Sequence, residues 1–223
     1  MLLELLVFLF LFFLIFYISK SVLRLYYGLV FHISGNKRIS VWIIALTFLP
    51  GTILHELSHF LMAIILRVPT GNISIFPTIE KNGEVKAGHI VVATSDPFRL
   101  SLIGLAPMIS GLAVVYLIGI YLIGDWGGRA IIGIVALFQI TSSMFSSKRD
   151  LKSFVIVSPV LLLLLLAGHL SGLSIEANQR FIDSVSSYLA KLNIYLSIAA
   201  AIDLLVYLFL SLGKKLQQDD VRR

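Results

Sequence analysis

The chain has 223 residues, 58% of them hydrophobic and only 13% charged, with a mean hydropathy of +0.95. A soluble domain carries about a quarter charged residues, so the long uncharged runs read as membrane spans rather than as one soluble core. The net charge of +6 comes from Lys and Arg placed between those runs, as topology signals and lipid-headgroup contacts, so no nucleic-acid partner is expected. With no cysteine in the chain, disulfides, Cys-type zinc sites and iron–sulfur clusters are excluded.

Residues Leu2 to Ile18 have neither a basic n-region nor a small-residue cleavage site after them, so they are expected to stay as the first span. That span runs to about Ser19 and leads into an interfacial stretch with Tyr26, Tyr27, Phe31 and His32. Ser34-Gly35-Asn36-Lys37-Arg38 reads as a turn. Span two is roughly Ile39 to Leu66, and Pro50-Gly51 is expected to kink it.

After Arg67 the pattern changes. Two strand-like runs, Asn72 to Glu80 and Glu84 to Val92, flank Lys81-Asn82-Gly83, which predicts a β-hairpin within 70–95. The edge of such a hairpin can accept an extended peptide as an added strand. His89 and Asp96 fall here and read as surface residues, His89 being the first substitute should another ligand be needed. Span three, about Phe98 to Ile123, contains Gly104-Leu-Ala-Pro107-Met-Ile-Ser110-Gly111, whose small residues allow close helix approach.

Span four, Ala130 to about Phe145, ends in a Ser-rich stretch with Ser142 and Ser143, followed by Lys148-Arg149-Asp150-Leu151-Lys152. Span five is about Phe154 to Leu170, and His169 near its end reads as interfacial. Ser171 to Lys191 reads as an amphipathic surface helix, and span six, Leu192 to Leu212, holds Asp203 before a charged tail. The expected fold is an all-α polytopic membrane protein of about six transmembrane helices with one small β-hairpin between spans two and three. It divides into a first span and interfacial segment (1–38), a core of three spans plus the hairpin (39–155), and two C-terminal spans (156–223).

One motif stands out. His55-Glu56-Leu57-Ser58-His59 lies inside span two, and ionisable groups are expensive in lipid, so three within five residues require an explanation. On a helix His55 and His59 leave the same face, at the spacing a zinc ion needs for two nitrogen ligands with Glu56 beside them as a base. Asp150 is the best carboxylate available as a third ligand, although paired to Arg149 or Lys152 it is also an ordinary loop residue. Six spans put both termini on one side, and the Lys/Arg distribution makes that side cytoplasmic. In that arrangement the two histidines and Asp150 lie toward the same leaflet. Chance occurrence or polar helix packing is the competing account of the motif.

These residues resemble the site-2 protease family of intramembrane metalloproteases. Gly51 to Ala63 looks like that family's zinc-binding helix, and Gly104 to Gly111 is similar to its small-residue segment with Gly and Pro. The end of span four is similar in position to its Asn-x-x-Pro…Asp-Gly element, with Asp150 at the ligand aspartate; here the element reads Ser142 and Asp150-Leu151. The resemblance covers about residues 40 to 155. It implies one zinc ion per chain held by His55, His59 and Asp150, with Glu56 as catalytic base. It also implies Ser142, Ser143, Gly104 and Pro107 as candidate substrate contacts, and membrane-spanning proteins or peptides as substrates. The implied setting is the plasma membrane of a prokaryote, with the bilayer as the constant partner. Two other functions stay open: a metal-binding but proteolytically inactive scaffold, and a metal or proton transporter using His55, Glu56, His59 and Asp203.

Overall fold

The computed structural model describes residues 2–79, 85–86, 88–93, 95–123, 127–144 and 179–221, together with positions 163 and 167. Apart from positions 163 and 167, span five therefore lies outside the described residues, as do Asp150 and His169. The described chain is mostly helical. Among the described residues three helices are long and apolar enough to cross a membrane, and a bent pair makes a fourth if it counts as one span. That is consistent with a membrane protein, as is the outer surface of these helices, where Phe10, Tyr17, Tyr121, Leu205 and Phe209 are all exposed.

The first helix, α1 (Leu2–Ser34), is apolar and free of proline, and its 33 residues extend about 50 Å. It ends where Gly35 takes a left-handed φ of 60°, with its N–H bonded to the Phe31 carbonyl. Asn36 then caps α2 (Lys37–Thr47) by accepting from the N–H groups of Arg38 and Ile39.

The expected kink in span two is a break. Helix α3 (Leu49–Ile65) starts after Phe48, with Pro50 in its first turn, where the missing N–H does no harm. The two helices meet at 75°. Three neighbours hold the corner. Tyr26 of α1 bonds Thr47 Oγ1 at 3.1 Å, Gln139 donates to the Thr47 carbonyl at 2.7 Å, and the Phe48 ring lies 6.2 Å from Tyr26 and 5.5 Å from Phe138. A proline allows the break; these side chains set its angle.

Helix α3 ends at Leu66, and Arg67 adopts φ 56° as the chain turns, while the Val68 N–H reaches the Ala63 carbonyl. The hairpin follows in two tiers. Strand β1 (Thr70–Ser74) pairs antiparallel with β4 (His89–Val92), and β2 (Thr78–Ile79) pairs with β3 (Val85–Lys86). Pro77 separates the tiers, because it cannot donate to a ladder. The segment between the tiers is tied to α2 by Phe76 against Trp42, ring centroids 5.9 Å apart.

Asp96 caps α4 (Pro97–Ile118), which continues as a π-helical turn over Gly119–Ile123. Helix α5 (Arg129–Met144) packs on both α3 and α4 through small residues. A Cβ on Gly51 would fall 2.4 Å from the Gln139 carbonyl oxygen, and one on Gly111 would fall 2.4 Å from Met144 Sδ. The last helix, α6 (Gln179–Val221), runs unbroken for 43 residues. The surface helix expected up to Lys191 is, from Gln179, the same helix as span six, since no Gly or Pro interrupts 179–212. Its Asn193 donates to both the carbonyl and a carboxylate oxygen of Glu4 in α1.

The main core joins Leu11, Phe12 and Ile15 of α1, Met108, Val115 and Ile118 of α4, Leu137 and Ile140 of α5, and Leu196 and Ala199 of α6. A smaller cluster of Ala63, Val68 and Ile103 closes the end of α3 against α4. The histidine motif sits between the two.

Candidate functional site

Helix geometry places His55, Glu56 and His59 within one turn and a half of α3. All three are buried, at 3%, 6% and 8% exposure. The rings of His55 and His59 meet edge to face with centroids 4.8 Å apart, and their Nε2 atoms are 3.2 Å from each other. The other nitrogen of His59, Nδ1, lies 2.8 Å from the Ile103 carbonyl oxygen on α4. A carbonyl only accepts, so Nδ1 carries the proton and Nε2 of His59 presents its lone pair toward His55.

That arrangement fits two nitrogen ligands of one zinc ion. Two Zn–N bonds of about 2.0–2.1 Å at a tetrahedral angle put the nitrogens about 3.3 Å apart, against 3.2 Å here. A ligating histidine commonly donates its second N–H to a carbonyl or carboxylate, as His59 does to Ile103. Among the described residues no group of three His, Asp or Glu side chains converges on such a point. The third expected ligand, Asp150, lies outside them.

Two further contacts fasten α3 to its surroundings. Ser58, on the turn between the histidines, bonds back to the Leu54 carbonyl and across to Ser110 Oγ on α4. On the other side the hairpin comes down onto the carboxylate. A Cβ on Gly88 would sit 2.9 Å from Glu56 Oε1, 3.0 Å from Glu56 Cγ and 3.1 Å from the Ser74 carbonyl oxygen. Gly88 has no left-handed φ, so space rather than backbone conformation is what asks for glycine there. The site is thus enclosed by α4 and by the paired strands β1 and β4.

The remaining expected residues are placed as follows. Gly104 and Pro107 are buried within α4, and Ser142 and Ser143 are buried in the last turn of α5. Ser143 bonds to the Gln139 and Ile140 carbonyls and lies against Gly51. Ser142 Oγ is buried with no hydrogen-bond partner among the described residues. His89 pairs with Ser74 in the β1–β4 ladder. Asp96 is half exposed and committed to α4, accepting from the Arg99 N–H at 2.9 Å and pairing with its guanidinium at 3.2 Å. The Arg99 N–H, more than the nearby positive charge, holds that carboxyl below its ordinary value. His32 is exposed in the last turn of α1. Asp203 is fully buried in α6, with neither oxygen partnered among the described residues, and on a different helix from the motif.

Gly88, Ile103 and Ser58 are site residues that the motif itself does not mark. A glycine inside a strand-like run signals close backbone approach, and Gly88 carries that signal in the sequence. The Ile103 contribution is a main-chain atom, which side-chain identity does not reveal. No family model, curated protein or solved structure matches the chain.

Proposed function

We propose that the chain is an intramembrane zinc metalloendopeptidase of site-2 protease type, hydrolysing peptide bonds of membrane-spanning substrates near the cytoplasmic leaflet. The observation that supports it most is the pair of buried imidazole nitrogens 3.2 Å apart, with a buried glutamate on the same helical turn. Structural helix packing needs neither a shared nitrogen focus nor a carboxylate beside it. In this reading His55 and His59 hold the metal through Nε2, and Asp150 completes the protein ligands. The chain then has six spans, the fifth within 154–170, with both termini cytoplasmic in a prokaryotic plasma membrane.

A zinc ion held by His55, His59 and Asp150 would supply a Lewis acid and would lower the pKa of a water to about 7. Glu56 takes a proton from the attacking water as the water oxygen adds to the scissile carbonyl carbon. Glu56 then delivers the proton to the departing amide nitrogen as the C–N bond breaks, so one carboxylate serves first as base and then as acid. His59 is held in the tautomer that keeps its Nε2 lone pair available, through the Ile103 carbonyl. His55, Glu56 and His59 are buried beside α4 and the β1–β4 strands, which strengthens each of these polar interactions.

The test is Glu56→Gln beside His59→Ala in the full chain, purified in detergent and returned to lipid vesicles with a membrane-spanning peptide. About one zinc per chain in wild type and in Glu56→Gln, with cleavage only in wild type, is the expected result. Zinc is expected to be lost in His59→Ala, and likewise in Asp150→Ala. Zinc binding without cleavage by wild type would favour the inactive scaffold. Cleavage by Glu56→Gln would remove Glu56 as the base.

A further inference from the structure

Pro107 lies inside α4, ten residues into the helix. Proline has no backbone N–H, and in an α-helix the N–H of each residue serves the carbonyl four residues earlier. The carbonyl deprived of its helical donor by Pro107 is that of Ile103. This same carbonyl, at 4% residue exposure, is the one that meets His59 Nδ1 at 2.8 Å. A buried carbonyl needs a donor, and the donor available from the neighbouring helix is the imidazole N–H.

We propose that Pro107 is a positioning residue for the two-histidine site. By carrying no N–H it reserves the Ile103 carbonyl for His59, which holds that ring in its Nδ1–H tautomer with Nε2 turned to His55. The proposal rests on the metal-centre reading of the site and extends it to a residue of α4 outside the histidine motif. Its logic is competition for one acceptor. An N–H at position 107 would draw the Ile103 carbonyl back into the ladder of α4, and His59 would lose the bond that selects its tautomer. A neutral imidazole then also populates the Nε2–H form, in which the nitrogen facing His55 can no longer act as a ligand. Loss of such an outer partner commonly costs about 10- to 100-fold in metal affinity.

Two substitutions separate the missing donor from the proline ring. Pro107→Ala restores the N–H and removes the ring. Pro107→lactic acid, an ester in place of the amide, removes the ring yet still has no N–H. Both are made in the full-length chain in detergent. Zinc affinity is read by competition with a chelator. The His59 tautomer is read from imidazole nitrogen spectra of the metal-free protein, the His59 signals being those missing from His59→Ala. Pro107→Ala is expected to weaken zinc binding about 10- to 100-fold and to shift His59 away from the Nδ1–H form, whereas the ester variant matches wild type in both. An unchanged tautomer in Pro107→Ala overturns the proposal, and so does an ester variant as impaired as Pro107→Ala, which would make the ring's packing responsible. Should Pro107→Ala fail to fold, the ester variant decides alone, by keeping or losing the Nδ1–H form. A wild-type protein that binds no zinc would sink the metal reading, while the tautomer spectra would still decide the link from Pro107 to His59.

Discussion

Gly51→Ala is the most informative perturbation of the scaffold beneath the site. Gly51 lies in the first turn of α3, one turn before His55, where α3 crosses the end of α5. The new methyl would overlap Ser143 Oγ at 1.8 Å and approach the Gln139 carbonyl oxygen to 2.4 Å. A serine hydroxyl can rotate away. A helix carbonyl cannot, so α5 would have to retreat about 1 Å to regain ordinary contact. That movement stretches the Gln139–Thr47 bond from 2.7 Å to about 3.7 Å, beyond hydrogen-bonding range. Overpacking costs about 1–3 kcal/mol and the lost bond about 1 kcal/mol. The higher helix propensity of alanine returns at most about 1 kcal/mol. The net expectation is a destabilisation of about 1–3 kcal/mol, read as unfolding in mixed detergent micelles. Ser143→Ala added to Gly51→Ala removes only the hydroxyl overlap, so it should recover little of the loss. A Gly51→Ala protein as stable as wild type, or full rescue by Ser143→Ala, would refute the close crossing of α3 and α5.

Two other outcomes follow from the same contacts. Gly88→Ala introduces a methyl 2.9 Å from Glu56 Oε1 and 3.1 Å from the Ser74 carbonyl, so either the carboxylate or the strand pair must move. Zinc content should stay at the wild-type level while cleavage falls on the order of 10- to 100-fold, the scale of an ångström's misplacement of a catalytic group; unchanged turnover would mean that the hairpin does not position Glu56. At the start of α4, the depressed carboxyl of Asp96 contributes stability above its ordinary value of 3.8, and that contribution disappears as pH falls through its lower folded-state value. Asp96→Asn keeps an acceptor for the Arg99 N–H without the charge, so its thermal midpoint should depend less on pH below 5 than that of wild type; equal pH slopes would mean that the Asp96 cap is not formed.

What was legible in the sequence was whatever a single helix or turn dictates. The i, i+4 spacing puts His55 and His59 on one face whatever surrounds them, and the burial of both rings with converging Nε2 atoms follows that spacing. Asn82-Gly83 and the flanking runs announce a hairpin, and the observed ladders join the segments on either side of it. The 75° corner at Phe48 is different. Pro50 signals a weakness in the helix, but the angle depends on Tyr26, Phe138 and Gln139, which lie 22 residues before Phe48 and 90 or more after it. Hydropathy misled in α6, because polarity between 179 and 191 reports the surroundings of the chain and not the end of a helix. Helices end where backbone donors or dihedrals fail, and nothing in 179–212 makes them fail.

The site shows the same division at closer range. The groups that would carry chemistry are side chains and can be named from the sequence. The groups that aim them are a carbonyl at Ile103 and the bare Cα of Gly88, which have no side-chain identity to read. Yet each leaves a trace as an absence: a missing N–H at Pro107 and a missing Cβ at Gly88. Both absences sit where a larger or more fully bonded residue would compete for the space or the acceptor that the motif uses. A polar group buried as His59 and Glu56 are is costly to leave without a partner, so such residues should tolerate replacement less well than exposed residues of α4 such as Phe98 or Ile109. Substituting Phe98 or Ile109 should leave zinc content and cleavage unchanged, and equal sensitivity at those positions would mean that α4 matters to the site only as a packed span.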